Sequence, residues 1–546
     1  MNKKLFKRFL PEIILIICSI IFSVWLMWHT FYVENDTLHI ATKVWSDFAS
    51  HIPLIRSFSF GNNFPIEYPL FSGEIIRYHF LFDMFAGLLE RVGLPIDLSF
   101  NLLSSFSFTL LILAIYFLAK ELFNNRFVGF LSVIFFLFNG SLSFLEYFNK
   151  NPISFDLRKV FLDIYHNTNY PSFGPYDEKI VSAFWNLNIY TNQRHLALPL
   201  ALFLFLILTI VSTEKNKKII SKKMVLFWGI FLGLLPFLHS SIFITSVLVL
   251  SSLILLLPKQ KIRLIFILII GVGISLPRIL FLKETTSYSP QLIPGYLIAN
   301  NLTILNFLKY WFFNLGILPF LTVLGFIFSN RLAKKIFLVI FLIFIMGNTF
   351  QFSPEMAGNH KFFNIFVIVA NVFAAFFLVK VWRSRKYLRA FILILILGLT
   401  LSGIIDFFPL KNDTTITIDD YPKNPVIKWI KDNTPANSVF LDNNYLYNPS
   451  SLAGRKIYLG WPYFSWSLGY DVTSREAKLK QMLTVTSKSQ ACMLLKINHI
   501  NYIEIKKLYP DQNLPRISNI YLNDFSPSFQ DSKGEFKIIN VAKNCS

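Results

Sequence analysis

The sequence Glu34-Asn35-Asp36-Thr37-Leu38-His39 opens a polar stretch that continues to Asp83 between two long apolar segments. The rest of the stretch holds acidic, basic and histidine residues: Asp47, His51, Arg56, Glu67, Glu74, Arg77, His79 and Asp83. Carboxylates and imidazoles can move protons, and arginines can bind a phosphate. The stretch therefore predicts the functional loop of the chain, with the apolar segments as its support.

The composition predicts a membrane protein. Hydrophobic residues make up 54% of the 546 residues and charged residues only 15%, whereas a soluble domain holds about 25% charged residues. The mean hydropathy is +0.51. A chain of this length can hold about ten spans of roughly 20 residues and still leave more than a hundred residues for a water-facing domain.

The apolar segments predict about eleven transmembrane helices. The run 224–258 is too long for one span, and Pro236 with the polar His239-Ser240-Ser241 offers a turn that divides it. The predicted spans lie near 9–28, 98–119, 127–147, 195–212, 224–240, 241–258, 262–281, 303–328, 335–350, 362–379 and 389–408. The predicted fold class is a polytopic α-helical membrane protein.

The net charge of +21 indicates membrane topology and not a nucleic-acid partner. When the spans are threaded from a cytoplasmic N-terminus, the short basic loops, such as 215–223 and 380–389, fall on the cytoplasmic side, as the positive-inside rule requires. The same threading puts the loops 29–97 and 148–194 and the C-terminal tail outside. We therefore predict a multi-pass protein of the plasma membrane.

The composition becomes polar after Phe408, which predicts a domain boundary. We expect a transmembrane domain at 1–408, with large outer loops at 29–97 and 148–194, and an extracytoplasmic α/β domain at 409–546. In this tail, 425–432 and 475–483 predict helices, whereas 438–441 and 500–505 predict strands. Cys492 and Cys545 could pair if the tail is extracytoplasmic.

The catalytic candidates are Asp36, Glu34 and His39. A carboxylate just outside the first span would lie near the lipid headgroups, where it could accept a proton from a sugar hydroxyl. Asp36 and His39 would share one face if this segment began a helix, as would His79 and Asp83. Acidic residues also occur just outside spans as surface groups or helix caps, and this alternative stays open.

The substrate-binding candidates are basic and histidine side chains on the predicted outer face, where they could bind a phosphate. They are Arg56, Arg77, His79, Arg194, His195, His239, Arg278, His360 and Lys361. Interfacial snorkelling is the competing explanation for each basic residue. Residues 73–87 predict an interfacial helix. We assign no metal ligands, although the spacing of Asp36 and His39 would also suit a divalent cation.

These motifs resemble the GT-C superfamily of integral-membrane glycosyltransferases. The resemblance lies in Glu34-Asn35-Asp36 with His39, in Pro65-x-x-Tyr68-Pro69-x-x-Ser72-Gly73 with Tyr78-His79, and in Asn192-Gln193-Arg194-His195. The tail motifs Ser451-Leu452-Ala453-Gly454-Arg455 and Trp466-Ser467-Leu468-Gly469 resemble the tails of uncharacterised bacterial and archaeal members. The likeness covers most of the chain in architecture but only short motifs in sequence.

The resemblance implies an acidic catalytic base in the first outer loop and a polyprenyl-phosphate-linked sugar as donor. It makes Asp36 the first candidate for the base and Glu34 the second. Many members have two adjacent acidic residues here, whereas this chain separates them by Asn35. For the second acidic motif of the family, the chain offers only Asp177-Glu178 or Asp163.

The predicted function is an inverting transfer of a sugar to a lipid, glycan or protein acceptor on the extracytoplasmic face. Nucleotide sugars are confined to the cytoplasm, so a transferase facing outward needs a donor that crosses as a lipid. The alternatives are a transporter or flippase of lipid-linked glycans and a non-catalytic membrane protein of envelope assembly. A transporter predicts charges and helix breaks deep within several spans.

Overall fold

The computed structural model describes residues 3–172, 182–285, 288–507 and 511–545, and it is mostly helical. The helices are α1 Lys3–Thr30, α2 Trp45–Ser59, α3 Leu81–Arg91, α4 Ile96–Phe123, α5 Arg126–Leu137, α6 Ser143–Lys150, α7 Leu157–Tyr165, α8 Asn188–Asn192, α9 Ala197–Lys215, α10 Lys222–Leu238, α11 Ser240–Leu256, α12 Lys261–Thr285, α13 Ile304–Leu315, α14 Leu318–Phe328, α15 Arg331–Thr349, α16 His360–Ser384, α17 Arg389–Lys411, α18 Pro425–Asn433, α19 Pro449–Leu452, α20 Pro462–Ser467, α21 Val472–Leu483, α22 Lys488–Ile497, α23 Asn519–Asn523 and α24 Val541–Asn544. The strands are β1 Phe31–Glu34, β2 Thr37–Ala41, β3 Gln291–Leu292, β4 Phe350–Gln351, β5 Thr415–Asp419, β6 Val439–Asp442, β7 Lys456–Ile457, β8 Tyr502–Lys506, β9 Phe529–Gln530 and β10 Phe536–Asn540.

The prediction of a polytopic helical membrane protein is confirmed, with fewer long spans than predicted. Among the described residues, seven helices are long and apolar enough to cross a membrane, and α13 with α14, bent by 87°, would make an eighth. The predicted number was about eleven. The difference arises because α5 has 12 residues and α10 and α11 have 17 each, which is shorter than a typical span.

By its contacts, the chain divides into two compact units. The first unit, here the membrane unit, comprises Met1–His29, Leu102–Phe281 and Pro290–Thr414. The second, here the loop-tail unit, comprises Thr30–Asn101, Leu282–Ser289 and Thr415–Ser546. The first outer loop, predicted to belong with the spans, is therefore grouped with the C-terminal tail.

The membrane unit is built around α16, which packs against α5, α14 and α15. The approach of α14 to α16 requires a glycine. A Cβ atom at Gly325 would lie 2.2 Å from the backbone oxygen of Phe373, which no side chain could tolerate without a backbone shift. Apolar packing of this kind leaves α16 almost entirely buried.

The loop-tail unit contains two sheets. The smaller sheet has the order β1-β2-β5, so a strand of the tail extends a hairpin of the first loop. The larger sheet has the order β7-β6-β8-β10-β9, with β6 parallel to β7 and β8. The predicted α/β character of the tail is confirmed, and a disulfide joins Cys492 to Cys545.

The segment after the first span is a β-hairpin and not the start of a helix. Asn35 and Asp36 form its two-residue turn with φ values of 50° and 54°, a conformation that Asn and Asp adopt more readily than most residues. The predicted helical face shared by Asp36 and His39 is therefore wrong. The proposed interfacial helix at 73–87 is also wrong over most of its length, because α3 begins at Leu81 and His79 precedes it.

A buried arginine holds the loop-tail unit together. Arg56 on α2 is 2% exposed. Its Nε lies 2.9 Å from Oε1 of Glu90 on α3, and its Nη2 donates to Oδ2 of Asp420, which follows β5, at 2.5 Å. Its Nη1 donates to the backbone oxygen of Leu452 on α19 at 3.3 Å. One guanidinium thus connects both helices of the first loop to two segments of the tail.

The larger sheet carries a buried pair of carboxyl groups. Asp442 on β6 lies opposite Glu504 on β8. Ser450 binds both, since its backbone N–H donates to Oε2 of Glu504 at 2.7 Å and its hydroxyl donates to Oδ1 of Asp442 at 2.9 Å. Burial raises the pKa of Glu504 to about 7. Burial and the neighbouring charge of Glu504 also raise the pKa of Asp442 well above its usual range.

Replacing Arg56 by Met should destabilise the loop-tail unit by about 3–5 kcal/mol, because Glu90 and Asp420 would be left as buried, unpaired carboxylates. Hydrogen–deuterium exchange of the full-length protein measures this as lost protection in β5 and α18. The matched control is Arg91→Met at the exposed end of α3, expected to change stability by no more than about 0.5 kcal/mol. Equal protection in both variants would contradict the structural role of Arg56.

The raised pKa of Glu504 predicts that the larger sheet loses stability as the pH rises. The folded state favours the protonated group, so this contribution is fully present below the unfolded value of 4.5 and is lost as the pH rises to about 7. Glu504→Gln, which stays neutral, should weaken that pH dependence and leave only the part that the raised pKa of Asp442 contributes. The measurement is the hydrogen-exchange protection of the β6 and β8 amides between pH 4.5 and about 7. The control is Asp524→Asn, which changes an exposed carboxylate. An unchanged pH profile in Glu504→Gln would refute the prediction.

Candidate functional site

The first loop places an acid and a histidine on one face of α2. Asp47 lies in the first turn of this helix, and His51 follows one turn later, so the two side chains project to the same side. Nδ1 of His51 lies 3.0 Å from Oδ1 of Asp83, at the start of α3. The side chains of His51 and Asp83 are 4% and 0% exposed. The carboxylate therefore fixes the orientation of a buried imidazole.

Two tyrosines complete this group. The hydroxyls of Tyr68 and Ser50 lie 3.0 Å apart. Burial, with the negative charges of Asp83 and Asp47, raises the pKa of Tyr78 well above its usual range. Tyr78 therefore stays a neutral hydroxyl that can donate a hydrogen bond at any physiological pH. We call Asp47, His51, Tyr68, Tyr78 and Asp83 the loop cluster.

The loop cluster combines the groups that proton transfer needs. Asp47 is half-buried and His51 is buried, so a partly exposed carboxylate lies one helical turn from a fixed imidazole. Oδ2 of Asp83 is buried and has no hydrogen-bond partner among the described residues. A buried carboxylate oxygen without a partner costs free energy.

The predicted catalytic residues lie elsewhere in the loop-tail unit. Glu34 and Asp36 are exposed at the tip of the β1–β2 hairpin. The ring of His39 stacks on Tyr32 with centroids 4.5 Å apart. Glu34 and Asp36 thus lie in a solvent-exposed turn, and His39 lies in a strand. Asp47, His51 and Asp83 belong to the loop cluster instead, although the sequence analysis did not propose them as catalytic residues.

The predicted phosphate-binding residues of the loop-tail unit are largely engaged within it. Arg56 forms the buried ion pairs described above. Arg77 donates from Nη1 to the backbone oxygen of Gly469, and its guanidinium lies 4.2 Å from the centroid of Tyr470. The ring of His79 lies 3.8 Å from that of Tyr78, so His79 adjoins the loop cluster.

In the membrane unit, Arg194 is fully buried and bonded to backbone carbonyls. Its Nη2 donates to the oxygen of Met27 at 3.0 Å, and its Nε donates to that of Thr191 at 3.4 Å. The rings of His195 and His239 stack with their centroids 5.5 Å apart. Paired imidazoles can hold a divalent cation, and a metal requirement stays a prediction.

The remaining predicted residues of this unit lie on α12 and α16. Nδ1 of His360 is 2.9 Å from Oδ1 of Asn364, and its Nε2 is 3.5 Å from Nε2 of Gln193. Lys361 follows it in the first turn of α16. The guanidinium of Arg278 lies 5.4 Å from the ring of Phe281.

Two acidic positions remain from the sequence. Asp163 is exposed on α7, and Asp177-Glu178 lies outside the described residues. Sequence reasoning missed Asp406, which is buried on α17 and accepts a hydrogen bond from Nδ2 of Asn186 at 3.1 Å. The sequence pattern that could have identified Asp406 is a single acidic residue within an apolar segment, which is a functional candidate in a membrane protein. The signal for Asp47 and His51 was their four-residue spacing.

No family model matches the chain, and no curated protein matches it. The chain is similar to the solved structure of an oligosaccharyltransferase of Archaeoglobus fulgidus tethered with an acceptor peptide, with a TM-score of 0.42 and 12% identity over 98% of this chain and 75% of that chain. It is similar to the oligosaccharyltransferase AglB of that organism in complex with an inhibitory peptide and a dolichol-phosphate, with a TM-score of 0.43 and 14% identity over 98% and 74%. It is also similar to the crystal structure of the Archaeoglobus fulgidus oligosaccharyltransferase in the apo form, with a TM-score of 0.42 and 14% identity over 90% of this chain and 69% of that chain.

Proposed function

We propose that this protein is a membrane glycosyltransferase that transfers a sugar from a polyprenyl-phosphate-linked donor to an acceptor on the extracytoplasmic face. The observation that carries the proposal is the loop cluster. It gathers a half-buried carboxylate, a carboxylate-oriented histidine and a neutral tyrosine hydroxyl in the loop after the first span. These are the groups that general acid–base catalysis of hydroxyl transfer uses.

The topology supports a lipid-linked donor. In the topology predicted from the eleven apolar segments, the basic loops lie on the cytoplasmic face, and the first loop and the tail lie outside. The disulfide between Cys492 and Cys545 is of a kind that persists in oxidising, extracytoplasmic compartments. Since nucleotide sugars stay in the cytoplasm, a sugar donor on this face is carried by a lipid.

In the proposed mechanism, Asp47 accepts the proton of the acceptor hydroxyl as that oxygen attacks the anomeric carbon. The bond to the donor phosphate breaks on the opposite side, which inverts the configuration. His51, fixed by Asp83, positions the loop for this step, and the Tyr78 hydroxyl donates to the developing negative charge. We place the base at Asp47 and not at Asp36 or Glu34, because Asp47 lies one helical turn from the buried His51 and its charge acts on Tyr78.

In the loop-tail unit we propose Arg77 and His79 for the phosphate, because both side chains are partly exposed. The candidates of the membrane unit stay a separate proposal: Arg278, His195, His239, His360 and Lys361. Arg56 and Arg194 are left out, since both guanidinium groups are buried and bonded within the protein. The acceptor is a lipid, glycan or protein, and a divalent cation would assist by neutralising the phosphate.

A transporter of lipid-linked glycans is the second candidate. The 87° bend between α13 and α14 and the buried Asp406 on α17 match the broken helices and intramembrane charges of transporters. A fluorescent lipid-linked glycan in proteoliposomes distinguishes the two, because a flippase moves it across the bilayer without any acceptor.

Asp47→Asn should lower sugar transfer by about 10²-fold or more, because the amide keeps the shape of the base but cannot accept the proton. The measurement is transfer from a radiolabelled polyprenyl-phosphate donor pool in membranes that contain equal amounts of each variant. Asp36→Asn, at the exposed hairpin tip, is the matched control and should keep wild-type transfer. If Asp36→Asn loses transfer and Asp47→Asn keeps it, the hairpin acid is the base and the proposed assignment is wrong.

A further inference from the structure

Six aromatic side chains form a strip in the loop-tail unit: Trp45, Tyr447, Trp461, Tyr463, Phe464 and Trp466. Ring centroids are 6.4 Å apart between Trp45 and Tyr447, and 6.3 Å apart between Trp45 and Trp461. The strip continues from Trp461 to Phe464 at 5.6 Å, and Tyr463 lies 5.9 Å from Trp466. We call this set the aromatic strip.

The aromatic strip is open to the solvent at its α20 end. Trp466 is 44% exposed and Tyr463 is 38% exposed, whereas Ser465 between them is buried. The helix α20 therefore packs against the protein through the side that carries Ser465, and its opposite side exposes the rings of Tyr463 and Trp466. Exposed large aromatic residues that lie side by side indicate a binding surface.

The other end of the aromatic strip reaches the loop cluster. Trp45 begins α2 and stands two residues before Asp47. The hydroxyl of Tyr447 donates to the backbone oxygen of Trp45. Burial, followed by the negative charge of Asp47, raises the pKa of Tyr447 well above its usual range. A ligand lying along the exposed rings would therefore end near the first turn of α2, which carries Asp47.

We propose that the aromatic strip binds a carbohydrate acceptor and leads its reacting hydroxyl to Asp47. This inference rests on the proposed function and narrows the acceptor from a lipid, glycan or protein to a glycan. Sugar rings have apolar C–H faces that pack flat on aromatic rings. A row of spaced rings suits a chain of sugar units.

The chemistry of the strip favours a sugar over a lipid surface. Interfacial helices that bind lipid combine aromatic residues with lysine and arginine, which attract anionic headgroups. The helix α20 has the sequence Pro462-Tyr463-Phe464-Ser465-Trp466-Ser467 and no charged residue. The strip also leads towards carboxylates, which repel anionic lipid.

Saturation-transfer NMR of the full-length protein in phosphatidylcholine nanodiscs tests the proposal, with cellotetraose, mannotetraose and chitotetraose as probes. At least one of the three should bind to the wild type. Trp461→Ala and Trp466→Ala should each weaken that binding by about tenfold. The control is Trp429→Ala, which removes a half-exposed ring that stacks on Phe529 outside the strip and should leave binding unchanged.

Absence of binding by all three probes would overturn the inference. Equal affinity in the wild type and both strip variants would overturn it too, and would leave lipid anchoring as the use of the rings. Asp47→Asn separates this test from that of the proposed function, because it should still bind the probe. Suppose that probe binding depends on Trp461 and Trp466 but Asp47→Asn keeps full sugar transfer. This result would support glycan binding by the aromatic strip and would contradict the role of Asp47 as catalytic base.

Discussion

The loop-tail unit depends on the buried ion pairs of Arg56. A guanidinium that is 2% exposed can be stable only if nearby carboxylates compensate for the loss of water. Burial alone would lower its pKa, but the charges of Glu90 and Asp420 outweigh that effect and raise it. The requirement works in both directions, because Glu90 and Asp420 are themselves buried and need the arginine. Residues 364 positions apart in the chain are thereby held in contact.

This constraint positions the proposed chemistry. Arg56 and His51 lie on the same helix α2, and Glu90 and Asp83 lie on the same helix α3. The ion pair between Arg56 and Glu90 therefore fixes the two helices at one end, and the contact between His51 and Asp83 fixes them farther along. Asp47 projects from the first turn of a helix that is held at two points. Rigid support of this kind is what a catalytic carboxylate needs, because small displacements lower rates steeply.

Local signals in the sequence predicted the long apolar helices and, in the tail, the helices α18 and α21 and the strands β6 and β8. The apolar segments form helices because burying or spanning 20 apolar residues leaves few other backbone solutions, and the alternation in 500–505 marks β8. The hairpin had a local signal as well, since Asn35-Asp36 is a two-residue turn between β-favouring residues, but the three-residue spacing of Asp36 and His39 was considered only as that of a helix. The pairing of β2 with β5 and of Arg56 with Asp420 had no local signal. Within the loop cluster, the contact between His51 and Asp83 joins positions 32 apart in the chain, and no local pattern predicts such a contact.

The central claim is that the first loop and the tail fold as one unit, and a cysteine pair tests it most directly. His39 and Thr417 are register partners in β2 and β5, and partners in antiparallel strands have Cα atoms about 4.5–5.5 Å apart, within disulfide range. In full-length protein carrying Cys18→Ser, the pair His39→Cys and Thr417→Cys should form a cross-link detectable by peptide mass spectrometry. Thr415→Cys, displaced by two residues from that partner, should not link to His39→Cys. Absence of the first cross-link, or equal formation of both, would contradict the account.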